Sequence, residues 1–238
     1  MTRRYTARRP IRLSDTDATG RLRLDAIARY LQDVASDDWE DAGFGESDGA
    51  WVVRRTELAV TRPFETDLAV ELQTWCSGIA GSSAARRYSL RGDTGGAIEA
   101  ESIWIHLDAS LRPRRLDESF REVYGSSANG RRASTRLTLP VDVGGRDGSP
   151  WRIRATDIDR LGHVNNAAYW APLEEAWRGG LDGRLHAILE YRQPIDLGET
   201  VELAQRDDIA WLVVGAEVRS AARLDPEGAA EAEQLARA

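Results

Sequence analysis

The chain has 238 residues, 42% of them hydrophobic and 30% charged, a globular composition long enough for one large domain or two small ones. Its 32 basic residues, all arginine, face 39 acidic ones for a net charge of -7, which excludes the global basic field of a nucleic-acid binder. A single cysteine, Cys76, excludes an internal disulfide and any multi-cysteine metal centre. No apolar run approaches the ~18 residues that span a bilayer. Four arginines between Met1 and Pro10 have no apolar stretch behind them, so no signal peptide is expected. The expectation is a cytoplasmic protein without stable membrane insertion.

The first predicted element is a helix, because Leu24, Ile27, Ala28, Leu31, Val34, Ala35 and Trp39 follow the rhythm of one buried face. Gly43 and Gly45 end it. Asp33, Asp37, Asp38 and Asp41 fall on the other faces and read as a solvated surface. The period then changes to two, giving strands over Trp51 to Thr61, Leu68 to Ser77, Ala84 to Arg91 and Ile98 to Asp108. Turn residues separate them, at Arg62-Pro63, Gly78 to Ser83 and Gly92 to Gly96. One helix followed by antiparallel strands is an α+β unit with a sheet wrapped round the helix.

From Gly125 to Pro150 the composition turns to Ser, Gly, Asn, Arg and Pro, which reads as a linker crossing the surface. After it the opening pattern returns. Arg12, Asp15, Asp17 and Gly20 recur 142 residues later as Arg154, Asp157, Asp159 and Gly162. Pro63-Phe64-Glu65 and Val70-Glu71-Leu72 recur 131 residues later as Pro194-Ile195-Asp196 and Val201-Glu202-Leu203. A second helix is predicted through Asn166, Tyr169, Trp170, Leu173, Ala176 and Trp177, stopped by Gly179-Gly180, with strands after it. The chain is a duplication, with units at residues 1–125 and 150–238 joined by a linker at 126–149. Asp225 to Ala238, rich in Ala and Glu, reads as a short helix or a frayed tail.

Several motifs fail on context. Gly45-Glu46-Ser47-Asp48-Gly49 has the spacing of a nucleophile elbow, but a helix precedes it and a strand follows, the reverse of what that turn requires. Asp15-Thr16-Asp17 and Asp157-Ile158-Asp159 resemble the start of a calcium loop, yet position twelve is Ala26 or Ala168 where a glutamate is needed. His106 and His186 lie within apolar strands and read as strand residues; Cys76 reads as a structural thiol.

What remains is the run from Asp157 to Tyr169, Asp-Ile-Asp-Arg-Leu-Gly-His-Val-Asn-Asn-Ala-Ala-Tyr. A carboxylate, a histidine and two amides crowd together just before a helix, whose start offers unpaired N–H groups to a developing oxyanion. Gly162 lets a substrate pass close. Asp159 can activate water, and His163 can polarise a carbonyl or orient that water. The plainer alternative is that Asn165 caps the helix and Asp159 holds the turn.

This run resembles the hotdog-fold thioesterase signature Asp-x-Asp-x-x-Gly-His-Val-Asn-Asn-x-x-Tyr. The whole chain, from about Tyr5 to Leu224, resembles the acyl-acyl carrier protein thioesterases, two hotdog domains fused in tandem. Leu31-Gln32-Asp33, Trp51 to Arg55, Ser102 to Ile105, Arg112 to Leu116 and Leu189 to Arg192 add to the likeness. The resemblance implies a double hotdog and hydrolysis of fatty acyl thioesters, ending fatty-acid elongation, with no cofactor and no metal. The first hotdog would hold the acyl chain and the second the chemistry. It names Asp159 and His163 as catalytic; Asn165 is expected to act with them, and Gly162, Val164, Asn166 and Tyr169 to bind substrate. Plant members carry an asparagine where this chain has Leu161, and a glutamate and cysteine at or near Pro194 and Ile195. Asp17 and Glu175 are the candidate substitutes. The partner implied is acyl carrier protein, steered by arginines at Arg3-Arg4, Arg8-Arg9, Arg112 to Arg115 and Arg131-Arg132. An acyl-CoA hydrolase and a non-catalytic acyl binder are the alternatives, as a monomer or a homodimer.

Overall fold

The structure, a computed structural model, describes residues 2–45, 50–144, 148–177, 183–226, 228 and 235. Ser47 and the Gly179-Gly180 stop, both singled out in the sequence, lie outside the described residues, as does most of the tail after Asp225.

Among the described residues ten strands form one sheet. In chain order they are β1 (Tyr5–Pro10), β2 (Ala50–Arg62), β3 (Ala69–Ala80), β4 (Ser83–Gly92), β5 (Ala97–Leu107), β6 (Ser149–Trp151), β7 (Leu185–Tyr191), β8 (Val201–Arg206), β9 (Ile209–Val214) and β10 (Glu217–Asp225). Their spatial order is β1-β3-β4-β5-β2-β7-β10-β9-β8-β6, and every pairing is antiparallel. Read outward from the centre, each half runs through the same succession, β2-β5-β4-β3-β1 against β7-β10-β9-β8-β6. The halves join where β2 meets β7, with Thr56 opposite Leu189 and Leu58 opposite Ala187. The four strands expected between residues 51 and 108 match β2 to β5 to within three residues at each end.

Helix α1 (Leu24–Asp41) lies in the wrap of the first half-sheet. Leu24, Ile27, Leu31 and Val34 are each at most 2% exposed, and burying a side chain of that size contributes about 2 kcal/mol. The second helix is shorter than its apolar pattern suggests. A 3-10 turn over Asn166–Tyr169 leads into α3 (Trp170–Ala176), whose Trp170 and Leu173 are buried. Pro172 sits in the first turn of α3, where a missing N–H costs little. These are the hotdog elements the resemblance implies: antiparallel sheet wrapped on helix, the two halves sharing one core.

One element was not foreseen. Helix α2 (Glu118–Ala128) covers the outer face of β3, reaching into what reads as linker. Asp117 caps it by accepting the Phe120 N–H at 3.0 Å, and Phe120, Tyr124 and Ala128 bury one stripe. Only two large apolar side chains define that stripe, and Gly125-Ser126-Ser127 weakens the helical signal. Beyond it the linker is bonded to the sheet: Glu190 accepts the Thr138 N–H at 2.6 Å, and Trp211 Nε1 donates to the Pro140 carbonyl at 2.7 Å. Among the described residues no helix is long and apolar enough to cross a membrane.

Candidate active site

The second copy of the repeated motif folds as a tight hairpin. Asp159 N–H donates to the His163 carbonyl at 2.9 Å and Gly162 N–H to the Asp159 carbonyl at 3.0 Å, with Ile158 bridged to Val164. Gly162 has φ +86 and nothing within 4 Å of where a Cβ would stand. The backbone there favours glycine, and the space beside it is open. Asp157 anchors the approach by accepting the Arg154 N–H at 2.8 Å. Asp159, half-buried, accepts the Leu161 N–H on its carboxylate at 2.8 Å. His163 reaches outward, its side chain 39% exposed, and its Nδ1 lies 2.5 Å from Asp196 Oδ1.

The first copy has the same backbone. Asp17 N–H donates to the Arg21 carbonyl at 2.9 Å, Gly20 N–H donates to the Asp17 carbonyl at 3.1 Å, Thr16 bridges Leu22, and Asp15 accepts the Arg12 N–H at 2.9 Å. Its side chains are spent differently. The Asp17 carboxylate accepts from Thr19 N–H, Thr19 hydroxyl, Arg21 N–H and Arg21 Nε. Burial pushes that carboxyl up, but the Thr19 hydrogen bonds and the Arg21 charge outweigh it and hold it below its usual value. Arg21, at the place of His163, also pairs with Glu174 of α3, which accepts the Leu24 N–H at 3.0 Å. Burial holds Glu174 above its usual value, although Arg21 opposes that.

Of the residues expected in the site, Asp159, Gly162 and His163 share the hairpin, and Asn165 and Asn166 follow at once. Their roles divide. The oxyanion expectation placed on the N–H groups from Gly162 to Asn165 needs correction, because three of them are already bonded: Gly162 to Asp159 O, Val164 to Ile195 O, and Asn165 to Asp157 O. The Asn165 side chain caps the 3-10 turn, accepting the Ala167 N–H at 2.9 Å. Val164 and Tyr169 are buried framework: the Tyr169 hydroxyl accepts the Ile195 N–H at 3.1 Å, and its ring meets Tyr191 edge-on at 5.3 Å. Asn166 borders a cavity of about 20 Å³ with Leu31, Gln32, Val53, Trp104 and Tyr191. That cavity draws its wall from both halves. Asp17 stands in the other hairpin with its carboxylate engaged, and Glu175 is exposed on α3, while the neighbouring Glu174 points to the core pair. Sequence reasoning passed over Asp196; its signal was the repeat itself, which aligns it with Glu65.

The residues read as structural are buried. Cys76 is 1% exposed and burial pushes its thiol up. His186 Nε2 lies 2.8 Å from Glu57 on β2, at the seam of the halves, and His106 of β5 packs on Trp51 of β2. Of the arginine clusters, Arg3 is paired with Asp38 and Asp41, and Arg9 with Asp33. Arg112, Arg114 and Arg115 are all exposed.

Two family models match the chain: the acyl-ACP thioesterase N-terminal domain over residues 2–124 and the acyl-ACP thioesterase C-terminal domain over residues 145–230. An uncharacterized protein of Mycobacterium tuberculosis is 36% identical over 229 residues, covering 92% of this chain and 91% of its own. A solved Lactobacillus plantarum protein, provisionally assigned as an oleoyl thioesterase, superposes with TM-score 0.79 at 21% identity, over 94% of this chain and 95% of its own. A 12:0-ACP thioesterase from Umbellularia californica superposes with TM-score 0.73 at 19% identity, over 93% and 96%. At these identities the structures establish the likeness of fold.

Proposed function

The chain belongs to the acyl-ACP thioesterase family and is a thioester hydrolase acting on acyl-ACP, and on that premise we propose that Asp159 and His163 carry the reaction, once per chain, in the second half. The observation behind this reading is the contrast between the two hairpins. His163 is half-exposed, three residues before Asn166 at the cavity wall, whereas Arg21 in the same backbone position is buried in an ion pair. Between them Asp159 and His163 activate a water and assist its attack on the thioester carbonyl, with Asn166 at the cavity wall. A thiolate leaves readily, so the chemistry needs no covalent nucleophile. One positioned acid–base group supplies roughly 10²–10⁴-fold.

The finer parts of the reading are these. The acyl chain lies toward the cavity that α1, β2 and β5 of residues 1–125 line together with Asn166, Ala167 and Tyr191, residues 126–149 link the halves, and residues 150–238 carry the chemistry. The carrier protein, an acidic partner, docks through exposed arginines at 112–115, and the reaction ends fatty-acid elongation in the cytoplasm. A monomer or a homodimer fits, because each chain brings both halves. The test is release of free thiol from acyl-ACP and from acyl-CoA. Hydrolysis of acyl-ACP that is faster than of acyl-CoA and weakened by salt supports the reading; equal rates with no salt effect remove the carrier preference, and retention of acyl-ACP without hydrolysis would make the protein a binder.

A further inference from the structure

His163 and Asp196 face each other across an isolated antiparallel bridge, with Nδ1 and Oδ1 2.5 Å apart. The segment carrying Asp196 is fixed independently of the histidine. Ile195 accepts the Val164 N–H at 2.9 Å and donates its own N–H to the Tyr169 hydroxyl at 3.1 Å. Asp196 N–H donates to Glu199 Oε2 at 2.8 Å, and Glu199 is held in turn by Arg219 at 2.9 Å. The carboxylate is thus in place before any ligand arrives. Its side chain is 59% exposed, and an ion pair so open contributes at most about 1 kcal/mol to folding. Stability does not explain it. In the first copy the aligned carboxylate is Glu65, but Arg21 pairs with Asp17 and Glu174 instead.

We propose that Asp196 is a positioning residue for the hydrolysis: by accepting the Nδ1–H of His163 it fixes the tautomer that leaves the Nε2 lone pair free, so that His163 is the general base. This rests on the proposed role of His163. Nε2 takes a proton from water as the water oxygen bonds to the thioester carbonyl carbon. The tetrahedral adduct collapses, the C–S bond breaks, and the departing thiolate takes the proton back from Nε2. One water and one thioester become one carboxylic acid and one thiol. Asp159 then orients the water.

The test combines kinetics with nitrogen NMR of the full chain labelled at its three histidines, the His163 signals being assigned by their loss in His163→Ala. The neutral imidazole of His163 is expected to carry its proton on Nδ1, with Nε2 unprotonated. In Asp196→Asn the carboxamide can donate to Nδ1 and trap the other tautomer, so kcat should fall by roughly 10²-fold or more. KM should stay within about threefold, because Asp196 acts on the chemical step. The unfolding midpoint should not move, and Asp196→Glu should restore part of the rate. A wild-type kcat in Asp196→Asn, or a wild-type His163 protonated on Nε2, overturns the inference. Full turnover by His163→Ala would defeat the underlying reading; loss in His163→Ala with none in Asp196→Asn defeats this inference alone.

Discussion

The hairpin at Asp17 to Arg21 and the hairpin at Asp159 to His163 are the same backbone used for two ends. Both close with an N–H from the aspartate and one from the glycine, and both hold the following bridge residue against a Pro-x-acid segment, Leu22 to Phe64 O at 3.1 Å and Val164 to Ile195 O at 2.9 Å. Two side chains separate their uses, Thr19 against Leu161 and Arg21 against His163. Arg21 reaches Glu174 in the other half and turns its hairpin into a strut between α1 and α3. The shorter, ionisable His163 stays at the surface of its hairpin, paired with Asp196 and open to solvent. The frame that presents His163 to solvent in one copy places a structural ion pair in the other. On the proposed reading the duplication divides activity and stability between its copies.

The largest effect should come from exchanging roles at the two equivalent positions. His163→Ala should lower turnover by roughly 10²–10⁴-fold with the unfolding midpoint nearly unchanged. Arg21→Ala should do the reverse, leaving Glu174 unpaired in the core and destabilising by about 3 kcal/mol in urea unfolding, with turnover per folded molecule retained. Loss of activity in both, or in neither, would break the division.

A smaller effect concerns acid. Burial pushes Asp15 and Asp17 up, but hydrogen bonds from Tyr30 and Arg12 to Asp15, and from Thr19 to Asp17, leave both below the ordinary aspartate range. Their stabilisation is complete above the ordinary aspartate value and is lost as pH falls through the lowered folded values. Asp17→Asn should therefore flatten the acid limb of a plot of urea midpoint against pH. An acid limb identical to wild type would contradict the hydrogen-bonded account of Asp17. The smallest effect is expected at Cys76→Ala and Ser47→Ala, which should leave turnover within about twofold; a dead Cys76→Ala that still folds would revive a thiol mechanism.

Most of the frame is legible in the sequence because periodicity reports burial directly. Leu24 to Trp39 at helical spacing and Val70 to Trp75 in alternation are enough to place α1 and β3. Helix α2 was not legible, since two buried aromatics beside a Gly-Ser-Ser run carry too weak a pattern. The site was legible in part. The signature marks Asp159 and His163 because they are close in sequence, but Asp196 reaches His163 across a bridge from 33 residues away. Nor does sequence tell which N–H groups are left over: those of Gly162, Val164 and Asn165 look unpaired until the neighbouring segments are in place. Asp17, a candidate substitute by symmetry, has its carboxylate engaged by Thr19 and Arg21, which only the folded hairpin reveals.

The division of labour is tested most directly by single-turnover hydrolysis of acyl-ACP with Asp159→Asn and Asp17→Asn compared as folded proteins. The account predicts that Asp159→Asn loses roughly 10²-fold or more while Asp17→Asn stays within about threefold of wild type. Full activity in Asp159→Asn with an inactive Asp17→Asn would put the active site in the other half and contradict it.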